Sequence, residues 1–594
     1  MELNNHTIRE KKLQKLKNNL LIIFIFALIT FVYTIVLLHV GQLALTSDSS
    51  FHFSRVEEIY RNLSEHHLFT FIASYTFNHT GVGNFLFYPA VFLYPWALLR
   101  FWFNPINAFI IWYGMFIFAT LAIGYYSMLD FSKSKTRSFI FAIIYTIAPY
   151  HLYLGIYNYV LGEFVAYTFL PLVFLGAYHV FWKDTQKWPL LAIGISLLLY
   201  SHLLSVYLAS LILVCLLLGK LIVQRNFKLE RILALGKSVI LAILLSSFIL
   251  VPFVTDFMNQ KIAAPKGGFF FLMTAQQLID PSISNTIAIN RSVGIVVLLT
   301  AFLGWYFVKE NPRERTIYFI GLILLCSSTT LIPWSSFKHN TIILNIIGKI
   351  QFPYRLNSYS SLFLSATASL GISRLMEHTN WKYPKKFVWV AFVLLSFIGY
   401  YGSIQPVFDR IIAANHNFLT KDKGNLISLP INALINKNNY NNIFSYLVLY
   451  GETDYYHKYP AKDAMAYNQS IYNNQVILGK RVVKATPKVS ANKITYLVHK
   501  NKTEKNINLP VIAYNHTQVK LNGKRVNYTR SFRGTVQVKT KQKNNQVTVS
   551  YQPSKFFYVS LIVCWLTWAG LALTWALKQK LGMRLTGTGR KLRR

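Results

Sequence analysis

The chain has 594 residues, of which 53% are hydrophobic, 16% aromatic and only 14% charged. Soluble domains carry about 25% charged residues, so this composition, with its positive mean hydropathy, excludes a single soluble enzyme and indicates a polytopic membrane protein. Lys and Arg number 61 against 21 Asp and Glu, a formal charge of +40; on a membrane protein this points to cytoplasmic loops and anionic membrane lipids, and nucleic acid is not an expected partner.

A bilayer crossing needs about 20 apolar residues. In chain order the apolar runs predict crossings at 20–39, 106–129, 138–155, 159–181, 189–201, 204–223, 232–254, 292–308, 316–332, 359–375, 387–404 and 556–577. Basic residues flank them at both chain ends, from Arg9 to Lys17 and from Lys578 to Arg594. Further basic connections lie at 130–137, 183–187, 220–231, 309–315 and 374–386. With these on the cytoplasmic side, about twelve spans fit, with both termini cytoplasmic and the large loops exoplasmic. The segment 85–102 is apolar but interrupted by Pro89 and Pro95. Counting it as a span would invert every later loop, so it is predicted as a helix pair lying at the outer surface. Cys215, Cys326 and Cys564 all fall in apolar runs; they form no disulfide framework and are expected to pack in the core.

The expected organisation is a multi-span core over 1–404 with a first exoplasmic loop at 40–105, an exoplasmic domain at 405–555, and a last span and basic tail at 556–594. The late domain turns β-rich from about residue 480. Strands are predicted at 494–498, 509–514, 518–528, 534–540 and 546–551, with Asn522-Gly523 as a hairpin turn. A small β-sandwich is expected. Between Asp409 and Lys555 there are 23 basic and 6 acidic residues, a net +17. That charge suits a solvated surface, or attraction to an anionic envelope polymer or lipid headgroup.

Acids are scarce, so their places are informative. Asp48, His52, Arg55 and Asn62 share one stripe if 48–63 is helical, with Glu58 at its border and Glu57 pointing away. A carboxylate, an imidazole and a guanidinium on one face can activate a hydroxyl and hold a phosphate; an internal ladder of an amphipathic helix is the bland alternative. Glu163 stands beside Gly162 at the outer end of a span, where a carboxylate faces the protein interior or a water-filled cavity. His202 sits at an outer helix turn. Arg355, in the run Gln351-Phe352-Pro353-Tyr354-Arg355, suits a lipid phosphate at the outer boundary, or snorkels to headgroups. Glu452 and Asp454 form a further polar-aromatic group that spacing alone does not assign. No phosphate-binding loop, H-E-x-x-H or dinucleotide fingerprint is present, which argues against an ATP-driven pump or a membrane metalloprotease.

Four of these patterns together resemble a known family. They are Asp48 with Phe51-His52-x-x-Arg55, Gly162-Glu163 before Phe169-Leu170-Pro171-Leu172, Ser201-His202, and Gln351 to Arg355. They resemble the bacterial integral membrane proteins labelled "6-pyruvoyl-tetrahydropterin synthase-related", although nothing here resembles that synthase's zinc site. The architecture is similar to GT-C glycosyltransferases, including membrane proteins that add sugars to teichoic acids from polyprenyl-phosphate donors. The resemblance implies residence in the bacterial cytoplasmic membrane and an acidic residue in the first exoplasmic loop, here Asp48, acting as base or metal ligand. Many members have a second acid adjacent or one residue away. Here Ser47, Ser49 and Ser50 flank Asp48, which leaves a divalent metal open and turns attention to Glu163 or Glu58. The implied activity is sugar transfer from a polyprenyl-phosphate carrier to a cell-envelope acceptor, with Asp48 and Glu163 catalytic. His52, Arg55, Glu58, His202, Gln351 and Arg355 bind substrate. No cofactor is required by the sequence. A flippase for lipid-linked sugar and a non-catalytic envelope-assembly scaffold are the competing readings.

Overall fold

The computed structural model describes residues 2–223, 228–258, 260–263, 267–378, 385–421, 428–448 and 450–588. Arg590, Lys591, Arg593 and Arg594 of the basic tail lie outside them, as do parts of the basic connections 220–231 and 374–386.

The first apolar run forms α1 (Glu2–Val40), which delivers the chain to the two-residue strand β1 (Leu43–Ala44) and to α2 (Ser49–Ser64). The segment 85–102 does not form one long helix. It breaks into α3 (Asn84–Phe87) and α4 (Tyr94–Leu99), with Pro89 between them and Pro95 in the first turn of the second. The bundle continues with α5 (Pro105–Ser132), α6 (Lys135–Thr146), α7 (Pro149–Leu152), α8 (Leu161–Trp182), α9 (Pro189–Ser201), α10 (Leu203–Val223), α11 (Leu229–Leu245) and α12 (Ser247–Pro252). It is completed by α13 (Ala275–Ile283), α14 (Ile295–Val308), α15 (Pro312–Ser327), α16 (Thr341–Ile347), α17 (Asn357–His378) and α18 (Lys385–Ala413). Local signals set the starts. Asn104 caps α5, accepting from the N–H groups of Ile106 at 3.1 Å and Asn107 at 3.0 Å, with Pro105 in the first turn.

Six described helices are long and apolar enough to cross a bilayer, and two bent pairs raise that to eight. Of the other expected crossings, α9, α14 and α15 have 13, 14 and 16 residues. Helix α17 is long but rich in serine. Ser360, Ser361, Ser365 and Ser369 are fully buried, so this helix packs against other helices rather than against lipid. Two of the cysteines correct their expected placement: Cys215 and Cys326 are exposed on outward helix faces, and only Cys564 is buried. Apolar runs that face lipid carry apolar residues outward, so an apolar neighbourhood does not mean a core position.

Helix α18 runs to Ala413, past the expected boundary at 404. Beyond it, β2 (Leu434–Ile435) pairs back with β1, Leu43 opposite Ile435. After α19 (Ala461–Tyr472) come the strands β3 (Gln475–Leu478), β4 (Arg481–Lys484), β5 (Lys488–Ser490), β6 (Lys493–His499), β7 (Asn506–Ile512), β8 (Thr517–Leu521), β9 (Lys524–Val526), β10 (Thr529–Arg530), β11 (Thr535–Lys539) and β12 (Asn544–Tyr551). They form two five-stranded antiparallel sheets, ordered β10-β11-β7-β3-β4 and β5-β6-β12-β8-β9. One apolar core joins them, with Val476, Leu509 and Val536 from the first and Ile494, Val547 and Val549 from the second. The hairpin lies where Asn522-Gly523 predicts it. Both residues have positive φ, 51° and 81°, and Leu521 pairs with Lys524. The last helix is α20 (Lys555–Thr588).

The late domain is fastened to the first loop, not only to its own neighbours in sequence. Asn492 donates to Asn62 Oδ1 at 3.0 Å and accepts from the N–H of Phe71 at 2.7 Å. Ile512 N–H donates to Thr80 O at 2.9 Å, and the Tyr514 hydroxyl accepts from Gly83 N–H at 2.9 Å. Phe51, Ile72, Phe87, Tyr456, Ile512 and Tyr551 share a core across the joint.

Candidate active site

Asp48 occupies the cap position of α2, where the chain leaves Ser47 in a left-handed conformation with φ 38°. The serine that flanks it serves as its partner: Ser47 Oγ donates to Asp48 Oδ1 at 3.1 Å and accepts from Asn158 Nδ2 at 3.1 Å. Burial pushes the Asp48 carboxyl up to about 6, with Ser47 and Arg355 pulling down and Asp454 and Glu163 adding to the rise. A carboxylate poised there is ionised at neutral pH and basic enough to accept a proton.

Glu163, in the first turn of α8, receives the Tyr150 hydroxyl at 3.1 Å and the Ser358 hydroxyl at 3.0 Å on one oxygen. Its other oxygen faces Arg355 Nε at 3.5 Å. Arg355 in turn donates to Gln351 Oε1 at 2.9 Å and stacks its guanidinium 4.6 Å from the Phe352 ring centroid. Gln351 itself takes a positive φ of 62°, and its carbonyl accepts from Phe270 N–H at 2.7 Å. The Q-F-P-Y-R run therefore folds as a compact turn that aims one guanidinium at Glu163 and within electrostatic reach of Asp48.

His52 and His202 flank Tyr88 from two sides, with ring centroids 6.0 and 5.8 Å away. His202 Nδ1 pairs with Ser205 Oγ at 2.9 Å. His52 Nδ1 is buried without a hydrogen-bond partner among the described residues, and burial together with the Arg55 charge holds this imidazole well below its ordinary pKa. The stripe thus carries a histidine whose charged form is disfavoured by its surroundings.

Arg55 and Glu58 are bound up in holding the loop. Arg55 donates to the carbonyls of Tyr88 at 2.7 Å and Pro89 at 2.9 Å, and lies 4.6 Å from the Tyr88 ring centroid. It clamps the broken segment onto α2 rather than pointing at open space. Glu58 accepts from the N–H groups of Ser74, Tyr75 and Thr76, at 2.7, 2.9 and 2.9 Å, and from the Ser74 and Thr76 hydroxyls. With its oxygens filled by this turn, it is not placed as a second reactive acid. Glu57 does point away from the stripe, as its position in the helix predicts. It is nonetheless buried between Arg61 and Arg100, each 2.7 Å from it, and ties α2 to the end of α4.

Three contributors escape a reading by spacing. Tyr88 comes from the segment read as a surface helix, and its hydroxyl rests on Gly162. Asp454 comes from the late domain. The turn that carries it packs Gly451 onto the Phe51 ring, so closely that a Cβ there would stand 2.8 Å from a ring carbon. Asp454 is close enough for its charge to raise Asp48, and burial raises its own carboxyl. Arg410 donates to Tyr157 O at 3.0 Å beside Asn158. The only sequence signal for Asp454 was the unassigned acidic-aromatic group 451–460. Among the described residues no group of three or more His, Cys, Asp or Glu is placed to hold a metal ion.

A groove of about 820 Å³ opens next to this cluster. Its walls include Tyr88, Leu203, Phe253, Tyr551, Phe557 and Trp565, drawn from the broken segment, α10, the bend after α12, the late domain and α20. Tyr88 belongs to both the groove and the polar cluster.

The sequence model described as "6-pyruvoyl-tetrahydropterin synthase related domain; membrane protein" matches residues 85–407. The chain belongs to that family. The matched stretch carries Tyr88, Glu163, His202 and Arg355, whereas Asp48 and Asp454 lie outside it. No curated protein sequence matches the chain. Among solved structures, the arabinofuranosyltransferase AftD from Mycobacteria is similar at a TM-score of 0.43 and 12% identity, over 90% of this chain and 40% of that one. ArnT from Cupriavidus metallidurans, bound to undecaprenyl phosphate, gives 0.38 and 11%, over 73% and 86%. The archaeal oligosaccharyltransferase AglB from Archaeoglobus fulgidus, with an inhibitory peptide and a dolichol-phosphate, gives 0.32 and 11%, over 66% and 55%. The chain spans less than half the length of the mycobacterial transferase.

Proposed function

We propose that this protein is a membrane glycosyltransferase that moves a sugar from a polyprenyl-phosphate carrier to a cell-envelope acceptor on the outer face. The observation that carries the reading is the juxtaposition at Tyr88. An apolar groove suited to an isoprenoid chain meets a cluster holding one poised carboxylate, Asp48, and one guanidinium, Arg355.

The chemistry follows from those groups. Asp48 takes the proton of the acceptor hydroxyl, whose oxygen attacks the anomeric carbon of the donor sugar. The bond from that carbon to the phosphate oxygen breaks, and the electron pair leaves with the lipid phosphate. Arg355 stabilises the charge that develops there. Glu163 and Gln351 hold Arg355 in place. Asp454 lies beside Asp48 and keeps its proton affinity high, while His52 and His202 border the sugar. Arg55 and Glu58 set the walls rather than touch substrate.

The same proposal gives about twelve crossings, both termini in the cytoplasm, and a sandwich-like late domain whose positive charge holds an anionic envelope polymer such as a teichoic acid. The test is lipid extraction and glycan analysis of cells lacking the protein, complemented with wild type, Arg355→Lys or the distant surface control Glu310→Gln at matched membrane abundance. Accumulated lipid-linked sugar without the protein, restored use with Glu310→Gln and impaired use with Arg355→Lys support it. An unchanged lipid and glycan profile without the protein overturns it.

A further inference from the structure

The end of the helix bundle away from Asp48 holds a half-open cavity of about 560 Å³, lined by parts of α5, α6, α8, α10, α15 and α17. Its lining along α8 runs from Pro171 to Trp182, roughly 16 Å at 1.5 Å of rise per residue. That is about one leaflet of a bilayer whose hydrocarbon core is roughly 30 Å thick. Phe131, Phe174 and Phe363 make its walls apolar, and Tyr178 and Trp182 stand near its mouth, where aromatic side chains sit at headgroup level.

The charges at that mouth do not cancel. Arg137 donates to both oxygens of Glu314, at 3.0 and 2.8 Å, and Arg313 reaches the same carboxylate at 2.9 Å. Arg137 and Glu314 are buried, whereas the Arg313 side chain is 41% exposed. Two guanidiniums share one carboxylate, so one positive charge remains, and it rests on the partner that lines the cavity. The Phe131 ring, 4.4 Å from the Arg313 carbon, holds that guanidinium in place. A fixed planar fork with exposed N–H groups matches phosphate oxygens.

We propose that this cavity binds an anionic glycerophospholipid, one acyl chain inside it and the phosphate on Arg313. The site is distinct from the groove at Tyr88 and does not depend on the reaction proposed there. Its occupant fills the space between α5, α8, α15 and α17 and so braces the bundle at that end.

The test uses the full chain, purified in detergent and stripped of lipid. Dioleoyl phosphatidylglycerol, dioleoyl phosphatidylcholine and undecaprenyl phosphate are added in turn, and the tightest-bound lipid is followed by native mass spectrometry. Wild type is expected to favour phosphatidylglycerol over phosphatidylcholine by about fivefold, the scale of one cation at a membrane surface. Arg313→Gln should lose that preference, and Arg313→Lys should keep most of it, which separates loss of charge from loss of fold. Thr316→Trp, placed on the exposed side of the lining, should expel both phospholipids. Equal binding of the two by wild type, a preference that survives Arg313→Gln, or displacement of phosphatidylglycerol by undecaprenyl phosphate at equal concentration would overturn the assignment.

Discussion

Gly162 offers a sharp test of how the site is assembled. A methyl group at this position would lie inside van der Waals contact of the Tyr88 hydroxyl, 3.0 Å from Tyr88 Cζ and 3.2 Å from His202 Cδ2. Non-bonded heavy atoms pack comfortably at about 3.5–4.0 Å, so Gly162→Ala must displace the tyrosine hydroxyl, the nearest atom, by more than about 1 Å, whereas Cζ and the His202 ring carbon need give by only about 0.5 Å. Overpacking of this kind costs about 1–3 kcal/mol, and a misplacement near 1 Å costs on the order of 100-fold in rate. Tyr88→Phe removes the hydroxyl and leaves the ring, so alone it should be mild. The double variant Gly162→Ala/Tyr88→Phe should recover most of what Gly162→Ala loses. The assay is sugar transfer and thermal unfolding of the purified protein for wild type, both single variants and the double. Full activity and unchanged stability in Gly162→Ala, or a double variant no better than that single one, would refute the packing argument.

Glu57→Gln removes a buried carboxylate that pairs with Arg61 and Arg100; leaving Arg100 unpaired should cost about 3–5 kcal/mol, read as a lower unfolding temperature, and no loss would mean that the pairs contribute nothing. Glu452 is buried beside Asn78 and Tyr456 without a well-formed bond to either, and burial pushes its carboxyl up to about 8. Between the ordinary pKa of 4.5 and about 8 the folded state keeps a proton that the unfolded chain releases, so stability falls as pH rises through that window. Glu452→Gln should therefore raise the unfolding temperature at pH 8.5 relative to wild type and change it little at pH 4, where both states are protonated; equal effects at the two pH values would contradict this. Asp454→Asn removes a charge that raises Asp48, so the acidic limb of the rate–pH profile should move to lower pH, and an unmoved limb would place Asp454 outside the site's field.

The acid, the histidine and the Q-F-P-Y-R turn were legible because each lies in a short local pattern whose helix or loop setting the flanking residues fix. Partners distant in the chain were not. Arg55 reads as a phosphate ligand by type and place, yet its charge is used by two carbonyls of the broken segment, which no spacing reveals. Asp454 reaches Asp48 only because the late domain packs Gly451 onto Phe51. Helix bounds differ from apolar runs for a similar reason. Helix α15 begins before the apolar run, where Asn311 caps the N–H groups of Arg313 and Glu314 and Pro312 fills the first turn, and Arg137 on another helix lets Glu314 be buried there. Helix α14 begins only at Ile295, since Gly294 has φ 85° and stops the helix from extending backward. The strands and the Asn522-Gly523 hairpin were readable because alternation and turn chemistry are local.

In the proposed reaction Asp48 removes a proton from the acceptor during sugar transfer. The most direct test of this step is the turnover of purified, reconstituted protein with a polyprenyl-phosphate-linked sugar, comparing wild type with Asp48→Asn, which keeps the size and removes the basicity. The account predicts a wild-type rate that falls as pH drops through about 6, where Asp48 takes up its proton, and a loss of roughly 10²–10⁴-fold in Asp48→Asn at pH 7.5. An Asp48→Asn protein that is correctly folded and turns over at the wild-type rate would contradict it.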